Sequence, residues 1–388
     1  MCLICLTQKG FSLVATTKGR SSNIELLKII AIYLIIVSHF IQTYAQFQSL
    51  GYATDNVQLL SINVLRYLSH LGNNLFFVCS AWFLIDSEKN NKKKLFSLLL
   101  NVWVVSVLIM FFVLVLGGKH LHGSEILKCL LPTTFSNNWY ITCYVLFCLF
   151  YPAVRQILVK LPERKLLSFL IISFFLSYVI TPLFKEWEGG YFYVTQLVAW
   201  FMIYSLLFYF KRYAPNVLDS RKINLAVFLV SLIGFAAIPM TINILAKHIA
   251  FFEGRLLFFN DIYNIFPVTL AISSLNLFRR LRLQSKMVNR ISACTLYIYI
   301  IHENILLRQY YRPLLFEHIE SVYGMQHALW WILLMALLTL FACTILAIIY
   351  QKTLQIIVSK AVDYSYPRLR NRWNYSLDVI HNLLGTIK

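Results

Sequence analysis

The chain has 388 residues, 59% of them hydrophobic and only 13% charged, with a mean hydropathy of +0.67. Soluble domains carry roughly 25% charged residues, so this composition excludes an ordinary soluble enzyme and specifies a chain that crosses a bilayer repeatedly. The formal net charge of +19 could suggest nucleic acid, but the basic residues sit in small clusters between apolar runs, which points to membrane topology and to no nucleic-acid partner.

Residues 1–22 form an N-terminal segment with no long apolar core ahead of a cleavage site, so no cleavable signal peptide is expected and the first spanning helix serves as the signal. Ten apolar runs follow, at 24–44, 68–85, 95–116, 138–154, 166–183, 191–210, 223–246, 256–278, 291–307 and 328–350. They predict an all-α polytopic bundle of about ten transmembrane helices over residues 23–350. Of the 35 Lys and Arg residues, 26 fall on one set of alternating segments, 8 on the other, and Lys28 lies within the first run. The excess of cations on the cytoplasmic side then places both termini in the cytoplasm of a cell that carries this protein in its plasma membrane. The external connections near 45–67, 117–137 and 308–327 read as loops, too small for a separate catalytic domain. Residues 351–388 are a basic, aromatic tail expected to lie along the anionic cytoplasmic leaflet. Most of the eight cysteines lie inside apolar runs as small hydrophobes, and Cys2 and Cys5 form a lone CxxC with no second pair, so no metal site is expected.

The first run, Asn23 to Tyr44, carries Glu25, Lys28 and His39. A charge within hydrocarbon costs about 2.5–3.5 kcal/mol on insertion scales, so such residues are rarely idle. Lys28 and His39 are 11 residues apart. At about 100° and 1.5 Å per residue they share one helix face and stand roughly 16 Å apart along the axis. An imidazole suits proton transfer or acyl transfer, against the bland reading of a hydrogen-bonded packing histidine. Lys28 suits a phosphate, against simple snorkelling to the headgroups. Glu25 joins His39 among the catalytic candidates, although its spacing also makes it a partner for Lys28 at i, i+3.

Later runs add a second set. Asn73 and Asn74 could line a polar cavity, and Ser80, beside Ala81, is either a site residue or a small residue that lets helices approach. Trp139 opens the fourth run, where it could stack on a sugar or belong to the interfacial aromatic belt. Asp261, flanked by Asn260 and Asn264, needs a polar partner within the membrane. Tyr299 and His302 share a face at i, i+3, with the carboxylate of Glu303 beside them.

Lys28-x10-His39, preceded by Ile24-Glu25-Leu26-Leu27, resembles the first-helix motif of the integral-membrane acyltransferase family 3, with Lys28 where the family usually has Arg. Phe76 to Leu84 resembles its second-helix Phe-Phe…Ser-Gly…Leu segment, with Ala81 in place of Gly. Trp139-Tyr140 is similar to its Trp-Phe or Trp-Tyr helix start, and Thr295 to His302 to its late Ser-Tyr…His helix, with Thr295 replacing Ser. The resemblance runs in order from about Ser22 to Tyr350 and implies an O-acyltransferase. It would transfer acetyl from acetyl-CoA, a substrate and not a permanently bound cofactor, to a hydroxyl of a cell-surface glycan or lipid-linked sugar. In that reading Lys28 meets the donor, His39 is base or acyl acceptor, and Asn73, Asn74, Ser80, Trp139, Asp261, Tyr299 and His302 form the acceptor side. Membrane lipids are the surrounding partner, and a homo-oligomer stays open. The rival classes are a polytopic transporter or flippase, for which no matched halves or interrupted helices are evident, and a glycan polymerase, for which a larger basic external loop is expected.

Overall fold

Helix α1 (Ser22–Gln48) is the axis of the molecule. The computed structural model describes residues 21–48, 54–86, 92–115, 117–118, 120–135, 138–180, 183, 192–253, 258–259, 264–323 and 327–385, and they contain helices and no β-strand. In chain order the further helices are α2 (Val57–Ser69), α3 (Leu71–Leu84), α4 (Lys92–Val115), α5 (Gly123–Leu130), α6 (Trp139–Lys160), α7 (Glu163–Phe175) and α8 (Phe192–Tyr213). They continue as α9 (Pro215–Asp219), α10 (Arg221–Leu245), α11 (Ile265–Phe278), α12 (Lys286–Ser292), α13 (Thr295–His302), α14 (Arg312–Tyr323), α15 (Ala328–Lys352) and α16 (Leu354–Gly385).

Each of the ten apolar runs contains a helix, and among the described residues five of these helices are long and apolar enough to cross a membrane. Among those five, 72% of the apolar window of α1 is buried, against 22% for α10 and at most 39% for the others, so α1 is enclosed by protein while α10 forms part of the rim. Accordingly α10 turns Leu225, Leu229, Val230 and Ile233 outward, as a lipid-facing helix does. The polar residues of α1 are held where lipid does not reach them: Glu25, Lys28 and His39 are all buried.

Close contact with α3 seals one side of α1. Gly72 makes this possible, because a Cβ there would stand 2.6 Å from the Ala31 carbonyl oxygen and 2.9 Å from the Ile35 backbone nitrogen. Further out, Asn101 on α4 accepts from the hydroxyls of Tyr350 at 2.8 Å and Tyr297 at 3.4 Å, tying α4 to α13 and α15 with a satisfied polar group.

Polar contacts gather alternate helix ends at opposite poles. At the pole of Lys28, Ser285 N–H donates to Ser22 Oγ at 3.0 Å and Asn23 Nδ2 to the Leu281 carbonyl at 2.9 Å. The same pole holds Arg155 Nε on the Ile85 carbonyl at 3.2 Å, Gln351 Nε2 on the Ala293 carbonyl at 3.0 Å and the Lys93–Asp363 pair at 2.6 Å. At the other pole, Thr54 and Asn243 exchange two hydrogen bonds, Lys247 pairs with Asp55, and the Tyr310 hydroxyl donates to Glu125 at 2.8 Å.

The structure revises three local expectations. The run 68–85 is not one helix: the chain breaks at His70, and α2 is capped by Asn56, which accepts from the backbone of Gln58 and Leu59. The connections expected as loops contain α2, α5 and α14. The run 291–307 is divided into α12, α13 and a π-helical turn at Leu307–Tyr311, and Arg312 Nη2 donates at 2.6 Å to the His302 carbonyl where α13 stops. The tail is the helix α16, whose first half lies against α4 through Lys93–Asp363 and the Phe96–Tyr366 ring pair.

Candidate active site

Two polar clusters lie on α1, one at each pole. In the first, Lys28 Nζ stands 2.9 Å from Glu25 Oε1, and Ser292 of α12 donates its hydroxyl to Glu25 Oε2. Lys28 is 2% exposed, so it does not snorkel to water: it is a buried cation held against a buried carboxylate. Its ammonium also lies 6.0 Å from the centre of the Phe83 ring at the end of α3.

The second cluster joins α1 to the end of α13. His39 Nδ1 lies 2.9 Å from Glu303 Oε2 and 3.1 Å from His302 Nε2. His302 Nδ1 lies 2.7 Å from the Ile298 carbonyl, which can only accept, so that nitrogen carries the proton and His302 Nε2 presents its lone pair. His39 Nδ1–H therefore points at two acceptors, and the free lone pair of a neutral His39 is on Nε2. This is the tautomer a general base needs. Glu303 is fixed in turn by Arg312 Nη2 on Oε2 at 3.0 Å and Arg308 Nη1 on Oε1 at 2.8 Å, and Arg312 is itself buried over the Phe40 ring.

His39, His302 and Glu303 offer ligand atoms within 4.8 Å of one another, a spacing a metal ion could use. The two guanidinium groups already on Glu303 oppose a divalent cation there, and they suit a carboxylate whose work is to hold a histidine.

Between the two clusters runs an apolar cleft whose lining includes Ile32, Ile35, Phe76, Tyr140 and Tyr299, with room for about one water. Lys28, Ile32, Ile35 and His39 follow one another at helical spacing, so the cleft occupies the α1 face between the cation and the imidazole. Neither Lys28 nor His39 lines it. Tyr299 does, and its ring lies 5.8 Å from that of His302 and 5.8 Å from that of Tyr140. Tyr140 rests on Trp200 at 4.8 Å, and Trp200 stacks on Phe77 at 4.3 Å, which fixes the far wall.

A family model described as acyltransferase domain, that of acyltransferase family 3, matches residues 21–348, from the start of α1 almost to the end of α15. The chain belongs to this acyltransferase family. No curated protein and no solved structure shows a significant match to it. The acyltransferase thus carries its family domain on the bundle that surrounds α1, and both polar clusters fall within the matched residues.

Of the residues singled out in sequence, the structure brings His39, His302 and Tyr299 of the acyltransferase together. Glu25 does not reach His39. It is 14 positions away on the same helix, roughly 21 Å by helical rise, and it serves Lys28 and Ser292. The carboxylate at the imidazole is Glu303. Asn73 and Asn74 are buried in the first turn of α3, whereas the Ser80 hydroxyl donates to the Phe76 carbonyl at 3.1 Å inside its own helix. Trp139 is half-buried beside Tyr140. Asp261 and Asn260 lie outside the described residues, and Asn264 caps α11 by accepting from Phe266 N–H at 2.9 Å. Sequence reasoning missed the site roles of Glu303, Arg308, Arg312 and Ser292. The available signal was a run of three charges, Glu303, Arg308 and Arg312, directly behind an apolar helix that carries a histidine.

Proposed function

We propose that this membrane acyltransferase moves an acetyl group from acetyl-CoA to a hydroxyl of a cell-surface glycan or lipid-linked sugar. The observation that carries the reading is the His39–Glu303 contact, at the far end of the α1 face that begins with the buried Lys28. His39 Nε2 takes the proton of the acceptor hydroxyl. The oxygen attacks the thioester carbonyl, the C–S bond breaks, and the coenzyme thiolate leaves and recovers the proton. Glu303 favours this course because a carboxylate at Nδ1 stabilises the imidazolium formed when Nε2 is protonated.

In this reading the ten apolar runs cross the plasma membrane with both termini in the cytoplasm. The clustering of alternate helix ends at the Lys28 pole, together with the 26 to 8 division of Lys and Arg, supports it. The donor then enters at the Lys28 pole and the acceptor meets it at the His39 pole. The cleft lies on the line between them, and donor passage requires it to widen. The test is acetyl transfer by the purified protein in lipid nanodiscs, followed by mass spectrometry of surface glycans from cells carrying wild type or His39→Ala. An unchanged content of acetyl ester with His39→Ala at normal protein levels overturns the assignment of His39. No turnover of acetyl-CoA by the purified wild type overturns the donor.

A further inference from the structure

At the Lys28 pole the end of α3 carries a second cationic assembly that the His39 chemistry does not use. Lys211 Nζ of α8 stands 4.2 Å from the centre of the Trp82 ring, and the guanidinium of Arg279, at the end of α11, stands 5.1 Å from it. Lys211 is paired with Asp86, and Arg279 with Asp219, which Arg280 also approaches at 3.7 Å. Arg155 joins them from α6 through the Ile85 carbonyl.

Capping explains part of this. Lys211 reaches the Trp82 carbonyl at 3.4 Å, and with Arg155 it satisfies the exposed carbonyls at the end of α3, where the helix dipole favours cations. Capping does not explain Arg279 and Arg280, nor the convergence of two cations on one indole. The exposures carry the argument further. The side chains of Lys211 and Arg279 are 23% and 21% exposed, whereas those of Asp86 and Asp219 are 69% and 60% exposed. The cations are set into the protein wall, and their carboxylate partners stand on the solvent side, where another anion can replace them. Trp82 is also next to Phe83, whose ring centre lies 6.0 Å from the Lys28 ammonium, so the assembly sits at the same end of α3 as the start of the α1 face that leads to His39.

We infer that Trp82, Lys211, Arg279 and Arg280 form a subsite for the nucleotide end of the acyl donor, with the cations on its phosphates and the indole on its adenine. The inference rests on the acyl-CoA reading above and adds to it the residues that hold the donor away from the reacting carbon. A guanidinium fork matches phosphate as it matches the carboxylates that phosphate would displace, and an aromatic ring is the ordinary platform for a base. Anionic lipid headgroups share the phosphate chemistry but bring no base to stack.

The test is equilibrium binding of CoA, adenosine 3′,5′-bisphosphate and acetyl-pantetheine to the full-length protein in nanodiscs, for wild type, Arg279→Gln, Lys211→Gln and Trp82→Leu. Nanodiscs of phosphatidylcholine alone and with phosphatidylglycerol separate the two phosphate sources, and a thermal melt checks folding. Losing one hydrogen bond to a charged group, or one base–aromatic stack, weakens binding by about tenfold or more. The expected result is that loss for CoA and the bisphosphate in both lipids, with acetyl-pantetheine binding unchanged. Arg279→Lys keeps the charge but not the fork and is expected to recover only part of the affinity. Equal CoA affinity across the variants, equal loss for acetyl-pantetheine, or an effect confined to phosphatidylglycerol overturns the subsite. Wild type that transfers acetyl from acetyl-CoA while the variants bind CoA normally refutes the subsite alone. Wild type that binds CoA through these residues yet transfers no acetyl refutes the enzymatic reading alone.

Discussion

His39 Nδ1 and Glu303 Oε2 lie 2.9 Å apart, although one residue comes from the first helix and the other from the turn that ends α13. The contact fixes which imidazole nitrogen is available for chemistry, since Nδ1 is committed to Glu303 and His302. Glu303→Gln keeps the shape and removes the charge that stabilises a protonated His39. Loss of the analogous carboxylate in a serine-protease triad lowers turnover by about 10⁴. We expect a fall of about 10²–10⁴ in acetyl transfer here, with KM for acetyl-CoA little altered. Glu303→Gln in a His39→Ala background should cost nothing further, because the two act as a unit. A rate measured with acetyl-CoA and a soluble sugar acceptor decides it, and full additivity of the two losses would separate Glu303 from the chemistry.

Arg312 holds the same carboxylate at 3.0 Å and the end of α13 at 2.6 Å, and it is almost wholly buried. Arg312→Met strands Glu303 as a buried charge short of one partner, which costs about 3–5 kcal/mol. The expected outcome is low yield and a lower melting temperature in detergent. Arg308 is 41% exposed, and Arg308→Met should leave the melting temperature close to wild type. Equal destabilisation by the two substitutions would show that burial of Arg312 is not what matters.

Much of this arrangement was legible in the chain. Lys28 and His39 announce themselves as polar residues in an otherwise apolar run, and their 11-residue spacing fixes their common face without any knowledge of neighbours. The helices were legible for the same reason, since apolar length is the membrane signal. Glu303 was not. Its role depends on α13 ending beside α1, a contact between distant parts of the chain that no periodicity reports. Glu25, by contrast, was legible as the i, i+3 partner of Lys28, but as a catalytic candidate beside His39 it fails, because helical rise carries it to the opposite pole. The breaks at His70 and Glu303 were hidden for a related reason: the apolar runs continue through them, and hydropathy does not register where the helix stops.

Gly72 sets the distance between α1 and α3. Gly72→Ala would place a methyl group 2.6 Å from a backbone oxygen, and neither that oxygen nor the Ile35 nitrogen can move without displacing α1. Overpacking of this kind costs about 1–3 kcal/mol. The substitution should lower the melting temperature and also reduce transfer, because it shifts the helix that carries both Lys28 and His39. A variant as stable and as active as wild type would show that the two helices tolerate a wider separation.

The cleft beside Ile32 and Ile35 bears on acyl length. It holds room for about one water, so an acyl group of any length needs its walls to yield, and the side chains of those walls set how far. Ile35 is 2% exposed and stands one turn before His39 on the same face, so it bounds the space that an acyl group approaching the imidazole would occupy. Ile35→Ala removes three carbons from that wall. Each added methylene of a donor gains about 0.8 kcal/mol when it is buried, close to a fourfold preference. The ratio of propionyl to acetyl transfer should therefore rise about fourfold in Ile35→Ala, and the butyryl ratio further. Ile32→Ala should act in the same direction but less, since Ile32 stands further from His39 and nearer Lys28. The measurement is competition between acetyl-CoA and propionyl-CoA for one acceptor, read by product mass. Comparing the two donors within a single sample removes any difference in protein yield or folding. An unchanged product ratio with Ile35→Ala would place the reacting acyl group elsewhere than the cleft between Lys28 and His39.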